Sequence, residues 1–300
     1  MRLCAFAVAS RKRVPAPRSG APLPPRRERE CTLAKPQKQC SLAPLAGARV
    51  RGKFVIRDPG GVGGWRARIG VVVPSVNTVV EPWFSATSPP GVSVHASRMF
   101  LDNALTPESI VRMDRDEGMR AVRQLASCRP HGIAYCCTAS SIVQGLEYDR
   151  HLQHEVEQAA GVPATTATQS ILEALQVLGV KRIAAASPYA EEIDRAEHAF
   201  FEAAGFEVVS SACLGIKDAF GLAAPPPREI YELALRAWKP GAEAMLITCL
   251  NLWSQTVIEQ LETELRVPVV TSTQATFWRL LRIVGIDDRI ARYGRLLAEH

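Results

Sequence analysis

The chain has 300 residues, 47% hydrophobic and 22% charged, enough for one large or two medium domains with packed cores. Its apolar runs, such as 69–73 and 244–247, fall far short of the roughly 20 residues that span a bilayer, so no membrane partner is expected. The net charge of +6 belongs to one end: residues 1–66 hold 15 of the 36 Lys/Arg and 3 of the 30 Asp/Glu, leaving residues 67–300 with 21 basic and 27 acidic side chains. That acidic body lacks the basic surplus with which nucleic-acid binders neutralise phosphates.

Residues 1–66 read as a disordered, basic, Pro- and Arg-rich leader, and Pro-rich stretches such as 22–27 oppose any packed core. The apolar stretch 3–9 precedes the charges Arg11–Arg13, the reverse of a secretory signal. An expectation that follows is a mis-assigned start, with translation beginning near residue 50 or later. The glycines at 60–64 lack the spacing and following Lys of a phosphate loop. Eight cysteines without a C-x-x-C pair suit a reducing, cytoplasmic setting rather than a disulfide scaffold.

From residue 67 short apolar runs alternate with amphipathic stretches. Strands are expected at 68–73, 92–97, 132–136, 164–166, 182–186, 206–210, 244–248 and 269–272. Helices are expected from Thr106-Pro107-Glu108, where Pro and an acid suit a first turn, and at 149–160, 191–204, 228–238, 257–265 and 273–284. Alternation at this pitch predicts an α/β fold with parallel sheets covered on both faces.

The pattern also repeats. Arg68-Ile69 leads to Pro74-Ser75, and at the same spacing Arg182-Ile183 leads to Pro188-Tyr189. Cys137 lies 69 residues after Arg68, and Cys249 lies 67 after Arg182. The run from Val162-Pro163 to Thr168-Gln169 matches that from Val267-Pro268 to Thr273-Gln274. Two doubly wound halves of roughly 110 residues follow, 67–180 and 181–300, each with four strands. Such sheets bind ligands beyond the carboxyl ends of their strands, so facing halves would bring both cysteines to one central cleft.

Both cysteines stand where a strand gives way to a helix start, which favours a thiolate and an anionic substrate. Nearby Thr138, Ser140, Ser141, Thr248 and Asn251 can hydrogen-bond a carboxylate, and Ser75 and Leu250 on the same loops are further substrate-binding candidates. Two opposed thiols can move a proton on and off a carbon, or one can add to an activated double bond while its partner handles the proton. Neither route calls for a metal or an organic cofactor. The competing reading is that buried cysteines merely fill space, as expected of Cys136 and Cys213, with Cys128 inert at a helix end. His151 and His154 read as a solvated helix face rather than a metal site, and Trp238, Trp253, Phe277 and Trp278 as core or subunit interface.

The segments from Val71 to Thr78, Tyr135-Cys136-Cys137-Thr138, Ser187-Pro188-Tyr189 and Ile247-Thr248-Cys249 resemble maleate cis–trans isomerases. That family stands with arylmalonate decarboxylases and the aspartate/glutamate and hydantoin racemases. The resemblance implies two flavodoxin-like halves around a cleft and a cofactor-independent reaction on a small mono- or dicarboxylate. It implies Cys137 as nucleophile, Cys249 as its acid/base partner, and Asn77 and Tyr189 as hydrogen-bond donors to a carboxylate or enolate. Decarboxylase relatives typically carry glycine at the first cysteine position, so Cys137 argues against that branch. Lys217-Asp218-Ala219-Phe220 departs from the Asp-Asn of many isomerases, and other segments resemble relatives linked to ectoine breakdown. A racemase, a decarboxylase and a small-anion-binding protein stay as alternatives, and homo-oligomers are implied by the resemblance.

Overall fold

A computed structural model describes residues 64–300. The expectations about the leader and its start fall on residues outside that range, apart from its last three. One of those, Arg66, belongs to the body: its N–H pairs with Gly91 O and its guanidinium holds Asp288.

The first sheet and its helices run β1 (Ala67–Pro74), α1 (Val80–Thr87), β2 (Val92–Met99), α2 (Pro107–Met113), a π-helical turn (Asp114–Gly118), α3 (Met119–Ala126), β3 (Gly132–Tyr135), α4 (Thr138–Gln144), α5 (Leu146–Ala160), β4 (Ala164–Thr166) and α6 (Ala167–Val177). The second runs β5 (Arg182–Tyr189), α7 (Glu191–Ala203), β6 (Glu207–Ile216), α8 (Pro227–Ala237), β7 (Ala244–Ile247), α9 (Ile258–Leu265), β8 (Val269–Thr271), α10 (Ser272–Ile283) and α11 (Arg295–Glu299). The strand orders are β2-β1-β3-β4 and β6-β5-β7-β8, all parallel. This is a doubly wound, flavodoxin-like order in each half, as the resemblance implies.

The central strands are buried on both faces, which is why 69–73 and 244–247 read as unbroken apolar runs. The edge strands β2 and β6 stay half-exposed. The matching Thr-x-x-Gln runs have a local cause. Thr166 Oγ1 accepts from Gln169 N and Thr271 Oγ1 from Gln274 N, so each repeat ends a strand by capping a helix. Those helices, α6 and α10, pack against each other and join the two sheets, with Arg279 paired to Glu173 at 2.6 Å. Gly132 permits the close approach, since a Cβ there would lie 2.7 Å from Val284.

Several expected boundaries move. β5 continues through Pro188 to Tyr189 rather than stopping at 186, and a register shift against β6 lies between Ser187 and Tyr189. β6 runs six residues past 210. Cys213 is half-buried on that edge strand rather than core, while Cys136 is fully buried. Phe277 and Trp278 are core, Phe277 meeting Trp83 edge-on at 5.2 Å; Trp238 and Trp253 are half-buried. Among the described residues no helix is long and apolar enough to cross a membrane.

Candidate active site

One cavity lies at the carboxyl ends of the central strands of both sheets, where doubly wound folds place ligands. It is lined by Asn77, Cys137, Thr138, Tyr189, Cys249, Leu250 and Asn251, and by the apolar Val76, Leu101, Leu105, Ile110 and Leu222. The cavity measures ≈ 30 Å³, room for about two waters. A strap joins the halves beside it: Leu105 N–H donates to Lys217 O and Ala219 N–H to Asn103 O.

Asn77 follows β1 and is buried. Its Oδ1 accepts from Val79 N and Val80 N, both at 3.0 Å, which caps α1 and leaves the amide NH2 without a protein partner among the described residues. Arg98 fixes this loop from behind, donating to Ser75 O and Asn77 O at 2.9 Å and pairing with Glu81. Ser75 does not line the cavity; its hydroxyl accepts from Leu101 N.

Cys137 sits after β3 in extended conformation and takes the N-cap position of α4. Burial pushes its thiol up to about 12, Asp114 adds to the rise, and the Ser140 hydroxyl and N–H pull the other way. Cys249 differs. Its φ is 81, rare for a residue with a side chain, and a turn rather than a helix follows it; the next α-helix starts at Ile258. The expectation of equivalent helix starts therefore holds for Cys137 alone. Burial pushes Cys249 up to about 12 as well, opposed by the Tyr189 hydroxyl and the Asn251 N–H, whose nitrogen is 3.4 Å from the sulfur. Burial therefore favours the protonated form of both thiols.

The flanking polar side chains mostly turn inward, because a buried hydroxyl or amide must find a partner. Thr248 donates to Glu197 (2.7 Å), Ser141 to Asp149 (2.6 Å) and Ser140 to Asp114 (2.8 Å). Thr138 lines the cavity and donates to Ser272. Asn251 bridges the halves: its Oδ1 accepts from Thr78 N, and its Nδ2 donates to Val76 O and Ala219 O. Ser75, Ser140, Ser141, Thr248 and Asn251 therefore spend polar atoms on the protein, while the Asn77 amide NH2 has no partner among the described residues and the Tyr189 hydroxyl faces Cys249.

Sequence reasoning missed the apolar wall and a polar cluster behind Cys137. Asp114 accepts from Tyr135 OH (2.6 Å), Ser140 Oγ (2.8 Å), Gln144 Nε2 (2.9 Å) and Tyr148 OH (3.1 Å). It lies four residues after Ile110, on the inward face of α2, and the π turn that begins there rephases the helix beyond it. Gly118 lets the Tyr135 hydroxyl through, since a Cβ there would lie 2.8 Å from it.

A family model described as arylmalonate decarboxylase matches residues 69–297. The chain belongs to that family. Among curated relatives of this arylmalonate decarboxylase family member, maleate isomerase of Pseudomonas putida is 26% identical over 77% of this chain and 97% of its own length. Arylmalonate decarboxylase of Bordetella bronchiseptica is 28% identical over 75% of this chain and 97% of its own. Among solved structures, maleate isomerase from Pseudomonas putida S16 has a TM-score of 0.74 at 25% identity, covering 78% of this chain and 98% of that one. A cysteine mutant of Nocardia farcinica maleate cis–trans isomerase carries a covalently bound succinylcysteine intermediate; its TM-score is 0.73 at 25% identity, over 78% and 99% of the two chains.

Proposed function

We propose that this family member is a cofactor-independent enzyme isomerising a small unsaturated carboxylate, with maleate as the first substrate to try. The observation that carries the reading is the meeting of two cysteines, one from each repeat, in one cavity with the free amide of Asn77 and the hydroxyl of Tyr189. A space-filling role would not require both cysteines to line the same cavity.

In this reading the Cys137 thiolate adds to one alkene carbon and the former π pair moves toward the carboxylate as an enediolate. Cys249 delivers its proton to the carbon that gained the charge. The central bond is then single and rotates; Cys249 takes the proton back, the C–S bond breaks, and the double bond re-forms in the other geometry. The amide of Asn77 and the Tyr189 hydroxyl hold the carboxylate as charge develops on it. The succinylcysteine of the Nocardia farcinica relative is an adduct of the kind this sequence of steps passes through. The described cysteines are all free, as a reducing cytoplasm would keep them.

Proton NMR of the full chain with maleate in deuterated buffer, beside Cys137→Ala and Cys249→Ala, tests the proposal. Fumarate from the unmodified chain alone is the expected outcome. Turnover that survives loss of either thiol would refute the two-cysteine mechanism, and no turnover would remove maleate as the substrate.

A further inference from the structure

A thiol buried this deeply needs somewhere to put its proton before it can attack. Among the described residues no Lys or His lines the cavity to take the Cys137 proton from the substrate side. Behind Cys137 stands Asp114, with two donors on each carboxylate oxygen. One of the four, Ser140, occupies the third position of the helix that Cys137 caps, and so lies over the same first turn as the sulfur.

We infer that Asp114 is the acceptor of the Cys137 proton, reached through Ser140 Oγ, and that the two groups share a single negative charge. The thiol gives its proton to Ser140 Oγ as the Ser140 hydroxyl proton passes to Asp114 Oδ1. The products are a thiolate and a neutral carboxylic acid, with no change in total charge and no outside base. This rests on the reading of Cys137 as the nucleophile.

The Asp114 charge raises the Cys137 thiol, and two buried anions coupled in this way oppose each other, so Cys137 ionises more readily when Asp114 is neutral. Burial raises Asp114 toward its neutral form, against the pull of its four donors. The other titratable groups facing the pair are Tyr135 on β3, Tyr148 on α5, Cys136, and Tyr189 and Cys249 across the cavity. Burial pushes all five upward, so they stay neutral through the physiological range. Glu197, on the neighbouring α7, faces Cys249 rather than Cys137. Asp114 is on this account a positioning and proton-holding residue that never touches the substrate.

An internal transfer leaves a signature that a structural role would not. While the pair holds one proton, the thiolate fraction does not depend on pH. The test is the rate of iodoacetamide labelling at Cys137 in the full chain, followed by peptide mass spectrometry from pH 6.5 to 8.5. The unmodified chain is expected to change by less than about threefold across that window. In Asp114→Asn and in Ser140→Ala the proton must leave to solvent, so the rate should rise about tenfold per pH unit. Ser140→Ala leaves Asp114 three donors, and serves if the Asn variant does not fold. An unmodified chain as steep as the variants would overturn the inference; a flat Ser140→Ala profile would overturn the route through Ser140. A maleate assay on the same samples separates the two proposals. Flat labelling without turnover leaves the shared proton and removes the substrate, and steep labelling with turnover does the reverse.

Discussion

In the first half Cys137 leaves β3 at φ −135 and caps α4, with a four-donor carboxylate behind it; in the second Cys249 leaves β7 at φ 81 into a turn rather than a helix start, with Glu197 behind it. The repeat delivers both sulfurs to the same cavity. What differs is how each is held: Cys137 by a relaxed backbone and a satisfied polar network, Cys249 by a left-handed residue clasped between Asn251 N–H and Tyr189. Duplication fixes where a side chain arrives, and the surroundings then set what it can do. A nucleophile gains from a shared proton, and a proton donor gains from a fixed direction.

The largest effect expected from this asymmetry is in the fate of the adduct. Cys137→Ser and Cys249→Ser should each lower turnover by about 10³-fold or more. Only Cys249→Ser should accumulate a substrate adduct, found on the Cys137 peptide by mass spectrometry. An adduct on Cys249 in the Cys137→Ser variant would exchange the two roles.

Next comes Asn77, to which the proposal gives the holding of the carboxylate in the first half. Asn77→Asp keeps the Oδ1 that caps α1 but removes the amide donor and adds a negative charge beside an anionic substrate. Turnover should fall about 100-fold while thermal stability changes little. Asn77→Ala should also lose the cap, about 1 kcal/mol of stability. If Asp were as active as Asn, the amide would be only a cap.

The buried carboxylate of the second half has a pH signature. Glu197 accepts from Thr248 through one oxygen, and the other has no partner among the described residues. Burial, with Asp194 adding to it, raises it well above the ordinary carboxylate range. The folded state therefore binds a proton that the unfolded state has released. Stability from this group is full below the unfolded value near pH 4.5 and declines as pH rises toward the folded value. Glu197→Gln removes that slope, so its melting temperature relative to the unmodified chain should climb between pH 5 and pH 8. A constant difference would mean that Glu197 does not change protonation on unfolding.

Much of this was legible in the sequence because it rests on pattern. Apolar runs with regular spacing gave the strands, and the paired Thr-x-x-Gln runs marked two equivalent caps. The Arg-to-Cys spacing placed both thiols at strand ends. The supporting chemistry was less visible, because polar residues read alike whether they face water, ligand or one another. Ser140 and Thr248 looked like carboxylate binders and turned out to hold buried acids. Asp114 drew no notice in the sequence, because a lone acid among Arg112, Arg115, Asp116 and Glu117 carries no mark of burial. The φ of 81 at Cys249 follows from no local propensity; Leu250-Asn251 after it is not a turn signature, and tertiary contacts impose the conformation.

That conformation supplies the smallest prediction and the cleanest contrast between the halves. A residue with a side chain at φ 81 carries strain of about 1–3 kcal/mol that glycine does not. Glycine at the same place costs about 0.4–1 kcal/mol through the freer unfolded chain. Cys249→Gly should therefore be more stable than Cys249→Ala by about 1 kcal/mol. At Cys137, with φ −135, there is no strain to relieve, and only the entropic cost acts. Cys137→Gly should be less stable than Cys137→Ala by about 0.5–1 kcal/mol. The opposite signs, read from denaturant midpoints of four inactive variants, do not depend on which substrate the enzyme uses. Equal signs would mean that the left-handed turn at Cys249 is not held in solution, and that its sulfur is not directed by the backbone.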